Sequence, residues 1–306
     1  MAQVSAAVPD VQVAGCDSYA ALPGVVAGFA PHAVYSIRFA GTPGFPAAAL
    51  TGPGGPAWIS VGGSGVDHLG AWDPARTTVT NAAGVAAEQM AEYVIAAALH
   101  FRLDVPGLMA DRAAGHWRRD RMVRPLRGGV ALIVGLGRTG LAVAARARGM
   151  GLRVIGVRHT PAPMDGVEAV HPPADLPALW PLADLVAVCT PLTPVTKGLI
   201  GAGAIAAMKP DAVIVDVSRG GVIDGRALAQ ALQAGHLAGA ALDVFEAEPL
   251  PPGHPLWTTP RTLMSPHCSS VFDGWEHASV AMFCENIGRF LRGDALHNMV
   301  RPGRGY

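Results

Sequence analysis

The chain has 306 residues, half of them hydrophobic, with 23 basic and 23 acidic side chains and a formal net charge of zero. That length suffices for two domains, and the apolar share excludes an intrinsically disordered chain. Balanced charge without a long lysine or arginine run argues against nucleic acid or an anionic membrane as a partner.

The opening MAQVSAAVPD lacks a basic start and a long apolar core, so no signal peptide is expected. No run of about 18 uninterrupted apolar residues occurs, which argues against a membrane span. Residues 1 to about 82 are rich in Gly and Pro and carry short strand-like runs, AVYSIRF and AWISVGG. MAEYVIAAALHFRL, Met90 to Leu103, has no Gly or Pro and predicts a long helix. Arg118, Arg119, Arg121, Arg124 and Arg127 follow as the densest positive stretch and read as a solvated linker. From Gly129 the pattern alternates: VALIV, LRVIGV, LVAVC, AVIVDV and LAGAALDVF are short apolar runs separated by helix-compatible segments. Strands apolar on both faces imply a parallel sheet covered by helices, an α/β domain. A last long helix is expected around Gly274 to Leu291, with a short basic tail beyond it. Cys16, Cys189, Cys268 and Cys284 fit no zinc-ligand spacing and read as reduced thiols of a cytoplasmic protein; no metal is expected.

VALIVGLGRTG sets Gly135, Gly137 and Gly140 between a strand and the helix LAVAARARGM. This GxGxxG spacing serves a tight turn, close approach of backbone to a pyrophosphate and close helix–strand packing. The helix amino terminus adds unpaired N–H groups and a positive dipole end. A Rossmann-type doubly wound sheet that binds NAD or NADP is the expectation. The second strand of such a unit ends about 20 residues on, where an acid would hold the adenosine ribose. Here VIGVRHT ends in Arg158, His159 and Thr160. A guanidinium and a hydroxyl suit a 2′-phosphate, so NADPH is the expected cofactor, with NAD possible.

Three polar groups follow later strands: Arg219 in DVSRGGVID, Glu248 in ALDVFEAEPL and His267 in LMSPHCSS. The carboxyl ends of parallel strands line the ligand crevice, so the three can converge. An arginine there can bind an oxoacid carboxylate, and a histidine oriented by a carboxylate can exchange the proton that accompanies hydride transfer.

These motifs resemble the D-isomer-specific 2-hydroxyacid dehydrogenase family, which includes glyoxylate/hydroxypyruvate reductases. The likeness runs from about Trp58 to about Trp275 through GGSGVDHLG, NAAGVAAEQMAEYVI, GLGRTG, CTPLTPVTKGLI, DVSRGGVIDGRAL, ALDVFEAEPL, HPLW and SPH. The resemblance implies that Arg219, Glu248 and His267 are catalytic. It implies that backbone N–H groups near Ser64 and Gly65 hold the substrate carboxylate. Arg38, in YSIRFAG ahead of the matched stretch, is a further candidate substrate contact. The resemblance also implies that Arg138, Thr139, Thr190, Pro191, Val217, Asp243 and His267 border the cofactor. A homodimer and a smaller flavodoxin-like cap domain built from both chain ends are implied too, the cap from residues 1–82 and 283–306 and the dinucleotide-binding domain from 83–282. The expected activity is NAD(P)H-dependent reduction of a small 2-ketoacid such as glyoxylate or hydroxypyruvate. A non-catalytic dinucleotide-sensing protein and a formate- or phosphite-type dehydrogenase are the alternatives. The chain departs from the family pattern at Arg158, where NAD-using members carry an acid, and in CSSVFDGW after His267.

Overall fold

The computed structural model describes residues 1–38 and 42–302. The chain forms two compact units, 1–85 with 272–306 and 86–271. The larger unit holds seven strands: β4 (Val130–Val134), β5 (Arg153–Val157), β6 (Ala169–His171), β7 (Leu185–Val188), β8 (Val213–Asp216), β9 (Gly239–Leu242) and β10 (Thr262–Met264). All pair in parallel, in the order β10-β9-β8-β7-β4-β5-β6. The order reverses between β4 and β7, the switch point at which doubly wound sheets bind dinucleotides. Strands β4, β7, β8 and β9 are buried at every position, because helices cover both faces of the sheet. One face packs against the helices Ala87–Arg102 and Arg138–Gly149 through Ala91, Val94, Ala98 and Val143; the other carries Trp180, Ile205 and Leu228.

The smaller unit carries three parallel strands, β1 (Ala33–Ser36), β2 (Trp58–Val61) and β3 (Thr78–Asn81), in consecutive order. A complete flavodoxin-like order has five strands and a reversal; this sheet has three and none among the described residues. The return of the chain begins at Phe272, not at residue 283. The helix Trp275–Arg292 goes whole to this unit because its Phe283 and Ile287 pack with Val4 and Trp58 in one apolar cluster. Trp58 is fully buried, and its indole N–H donates to Thr80 Oγ1 at 2.9 Å. The end of the YSIRFAG stretch (39–41) and of the basic tail (303–306) lie outside the described residues.

The long helix runs over Ala87–Arg102, and a second helix, Val105–Ala114, follows it without having been expected. Its local signals are ordinary: Asp104 caps the amino end by accepting from Gly107 N–H, and Gly115 closes it in the left-handed conformation. In the arginine-rich segment Arg118, Arg119, Arg124 and Arg127 are exposed, as expected of a solvated stretch, and Arg121 is the exception. Arg121 pairs with both Asp104 and Asp111 and keeps only 17% of its side chain exposed. Among the described residues no single helix is long and apolar enough to cross a membrane.

Candidate active site

Strand β4 delivers the glycine loop. Gly135 adopts φ +103°, and a Cβ there would come 2.8 Å from the Cys189–Thr190 backbone; at Gly140 it would come 2.0 Å from the carbonyl oxygen of Gly135. Loop, strand and helix thus approach as closely as only glycine allows. Gly137 caps the helix Arg138–Gly149; no side chain caps that end, no acid stands in its first turn, and a Cβ at 137 would meet nothing within 4 Å. An open cradle over an uncapped helix amino terminus fits the pyrophosphate of a dinucleotide. Thr139 and Arg138 lie in the first turn, and Thr190 is brought against the loop by the contact at Gly135. The next residue, Pro191, uses its carbonyl to accept from Thr196 Oγ1 at 2.6 Å. Val217 is 3% exposed, and its N–H donates to Val188 O at 3.2 Å. At the end of β5, Arg158 is half-buried: its backbone N–H donates to His171 O (3.1 Å) and its Nη1 lies 3.4 Å from Met164 Sδ. His159 and Thr160 beside it are exposed.

The later strands bring Arg219, Glu248 and His267 together. Arg219 stands three residues past β8, and its Nη1 donates to Ser218 O at 2.7 Å. A Cβ on Gly220 would sit 1.8 Å from Phe245 O, so the turn that carries Arg219 lies directly on the loop that carries Glu248. Glu248 accepts from Phe245 N–H through Oε1 (3.0 Å) and from His267 Nδ1 through Oε2 (2.9 Å). Burial raises the Glu248 pKa, but those hydrogen bonds and the charges of His267 and Arg219 outweigh it and hold the carboxyl below its usual range. Nδ1 of His267 is therefore the donor, and Nε2 is the ring nitrogen left for a substrate.

His267 itself has φ +53°, left-handed for a non-glycine residue, with its N–H donating to Asp243 O (2.8 Å) and Ser265 O (3.0 Å). Asp243, expected beside the nicotinamide, is 1% exposed. Its carboxylate accepts from Ser265 Oγ (2.6 Å), Cys268 N–H (2.8 Å), Ser269 N–H (3.0 Å) and Ser269 Oγ (2.5 Å). The side chain is thus engaged by the loop around His267. Ser265 and Tyr93, whose hydroxyls are 2.7 Å apart, join this network; no local sequence signal marks them, since 172 positions separate them.

In the smaller unit Ser64 is exposed and Gly65 half-buried. Asn81, at the end of β3, braces their loop by donating to Ser64 O (2.6 Å), while Ala82 N–H donates to Gly63 O (2.9 Å). Asn81 is a third residue that sequence reasoning missed, after Ser265 and Tyr93. Arg38 is exposed, two positions past β1. No group of three or more His, Cys, Asp or Glu that could hold a metal occurs among the described residues.

Residues 95–269 match the family model "D-isomer specific 2-hydroxyacid dehydrogenase, NAD binding domain". The chain is 35% identical over 249 residues to a D-3-phosphoglycerate dehydrogenase of Methanocaldococcus jannaschii, covering 79% of this chain but only 47% of that one. It is 36% identical over 233 residues to a glyoxylate reductase of Korarchaeum cryptofilum, covering 72% of this chain and 68% of the relative. Among solved structures, a D-isomer specific 2-hydroxyacid dehydrogenase from Xanthobacter autotrophicus Py2, in complex with NADPH and MES, superposes with a TM-score of 0.81. It is 31% identical, and the match covers 100% of this chain and 94% of that one. A glycine loop at the switch point, the Arg219–Glu248–His267 cluster and a family match over more than half the chain agree: the protein belongs to the D-isomer specific 2-hydroxyacid dehydrogenase family.

Proposed function

We propose that the protein is an NAD(P)H-dependent 2-oxoacid reductase, in reverse a D-2-hydroxyacid dehydrogenase, that takes a small 2-ketoacid such as glyoxylate or hydroxypyruvate and prefers NADPH. The observation that carries this reading is the 2.9 Å pair of His267 Nδ1 with Glu248, set beside the turn of Arg219. With the pyrophosphate of the dinucleotide held in the glycine cradle, its nicotinamide would supply the hydride. The residues of the chain do the rest. Arg219 offers N–H donors in the planar geometry a carboxylate accepts, and its charge draws electron density toward the carbonyl oxygen. His267 holds a proton at Nε2 and gives it to that oxygen as hydride arrives at carbon. Glu248 stays ionised and keeps the ring oriented by accepting from Nδ1, which leaves Nε2 facing substrate. The backbone of Ser64 and Gly65, with Arg38, is assigned to the substrate carboxylate.

Arg158 supports the NADPH preference, since it takes the place where an acid would accept from free ribose hydroxyls and repel a 2′-phosphate. A homodimer is part of the same reading. Its support is that six of the sixteen exposed large apolar residues fall between Leu103 and Val123.

The test is a panel of 2-ketoacids of graded size, including a phosphorylated one, each assayed with NADPH and NADH. Turnover of a small, unphosphorylated 2-ketoacid with higher kcat/KM for NADPH is expected, by about one to two decades if Arg158 makes charge-assisted bonds. Arg158→Asp should erode NADPH use. Dinucleotide binding without turnover of any 2-ketoacid would overturn the enzymatic reading, and equal or better efficiency with NADH the cofactor preference.

A further inference from the structure

We infer that Tyr93 is a positioning residue for His267, acting through the hydrogen-bond chain Tyr93–Ser265–Asp243; the inference rests on reading His267 as the proton donor. Tyr93 lies in the helix Ala87–Arg102, and its hydroxyl is 2.7 Å from Ser265 Oγ. Ser265 has one hydroxyl proton and donates it to Asp243 Oδ1 at 2.6 Å. The phenol must then be the donor to Ser265, and the chain runs in one direction, Tyr93 to Ser265 to Asp243. Burial pushes the Tyr93 phenol up to about 12, against a smaller opposing effect of the Ser265 bond, so it keeps the proton this direction needs.

The far end of the chain is the clamp on the histidine loop. Asp243 receives Ser265 on one side of His267 and Cys268 and Ser269 on the other, while its own carbonyl takes the His267 N–H. His267 is held at φ +53°, a conformation a non-glycine residue keeps only when its surroundings impose it. Glu248 fixes the ring and Asp243 fixes the backbone. Tyr93 orients the hydroxyl of Ser265 and so ties the loop to a long helix whose apolar face is already committed to the core. A phenol present only to satisfy a buried hydroxyl would affect stability; one that positions His267 also affects the chemical step.

Tyr93→Phe keeps the ring and removes the donor. In the purified protein with its preferred dinucleotide and 2-ketoacid, kcat should fall about tenfold, the equivalent of one hydrogen bond, with the dinucleotide Kd within about twofold. Ser265→Ala should lose as much or more, Ser265→Thr should restore most activity, and Tyr93→Phe/Ser265→Ala should be no worse than Ser265→Ala. Undiminished kcat in Tyr93→Phe, or additive losses in the double variant, would overturn the proposal. Hydrogen exchange of the His267, Cys268 and Ser269 amides reads the same chain without turnover and should be at least about fivefold faster in Tyr93→Phe. Unchanged exchange overturns the positioning role whatever the activity. Accelerated exchange in the variant of an inactive wild type would sink only the reductase reading.

Discussion

The Glu248 carboxylate, held below its usual range and already accepting from Phe245, leaves His267 Nε2 as the ring nitrogen that can trade a proton with substrate. His267→Ala should lower kcat by about two to four decades and leave dinucleotide binding intact. Wild-type turnover in the folded variant would remove His267 from the chemistry. Glu248→Gln takes away the carboxylate that accepts from Nδ1 and orients the ring, so kcat should fall about tenfold or more; undiminished turnover in the folded variant would show that the ring is held without it. Asp216, at the end of β8, poses a different titration. Burial, with the charge of Asp243, raises its carboxyl to about 7 against the lowering effect of the Ser218 bonds and Arg219. The folded pKa lies above the unfolded one, so this contribution to stability is full below about pH 4 and is lost as pH rises to about 7. Asp216→Asn keeps an acceptor for Ser218 and removes the penalty. Across that window wild type should lose on the order of 4 kcal/mol of unfolding free energy relative to the variant, measured by urea denaturation. Parallel stability curves would show that Asp216 is not strained as a charge.

Gly140 shows how tightly one helix is fitted to its strand. A Cβ there would come 2.0 Å from the carbonyl of Gly135, backbone against backbone, with no flexible side chain to give way. Gly140→Ala should cost about 1–3 kcal/mol of stability and weaken dinucleotide binding together, read by thermal shift and titration. A stable variant with full affinity would show that the loop relaxes. This element was legible in the sequence because its determinants are local: an apolar strand, three spaced glycines and a helix within twenty residues. The strands of the larger sheet were legible for the same reason, as short runs apolar on both faces. The helix Val105–Ala114 was not, because its Pro106 and Gly107 masked a good amino-terminal cap at Asp104. The last helix was recognised but assigned to the wrong boundary, since an amphipathic pattern does not say which core receives Phe283 and Ile287. Asp243 was placed by family likeness; its four donors come from a loop more than twenty positions on and emerge only in the fold. Asn81 and Tyr93 acquire meaning only from partners brought in by tertiary structure.

At the scale of the whole molecule, exposed apolar side chains are not spread evenly. Sixteen large ones are exposed among the described residues, and six fall within 21 consecutive positions, where even spacing would place about one. Trp117 at 87% and Met122 at 90% are nearly free of protein contact, and Leu108 and Met109 precede them on the helix Val105–Ala114. The segment is nonetheless braced: within it Arg121 pairs with Asp104 and Asp111, and just past it Arg124 pairs with Asp211. A braced segment that presents a tryptophan, methionines and arginines to solvent offers the side chains enriched at protein interfaces. The homodimer we propose would bury this segment against a second copy. Light scattering at about 10–50 μM should then give twice the chain mass for wild type, a range in which an interface of ordinary size stays assembled. Trp117→Glu combined with Met122→Glu places two charges in the contact and should yield a monomer with unchanged circular dichroism. A monomeric wild type would remove the dimer from the reading. A variant that stays dimeric would move the interface away from residues 103–123.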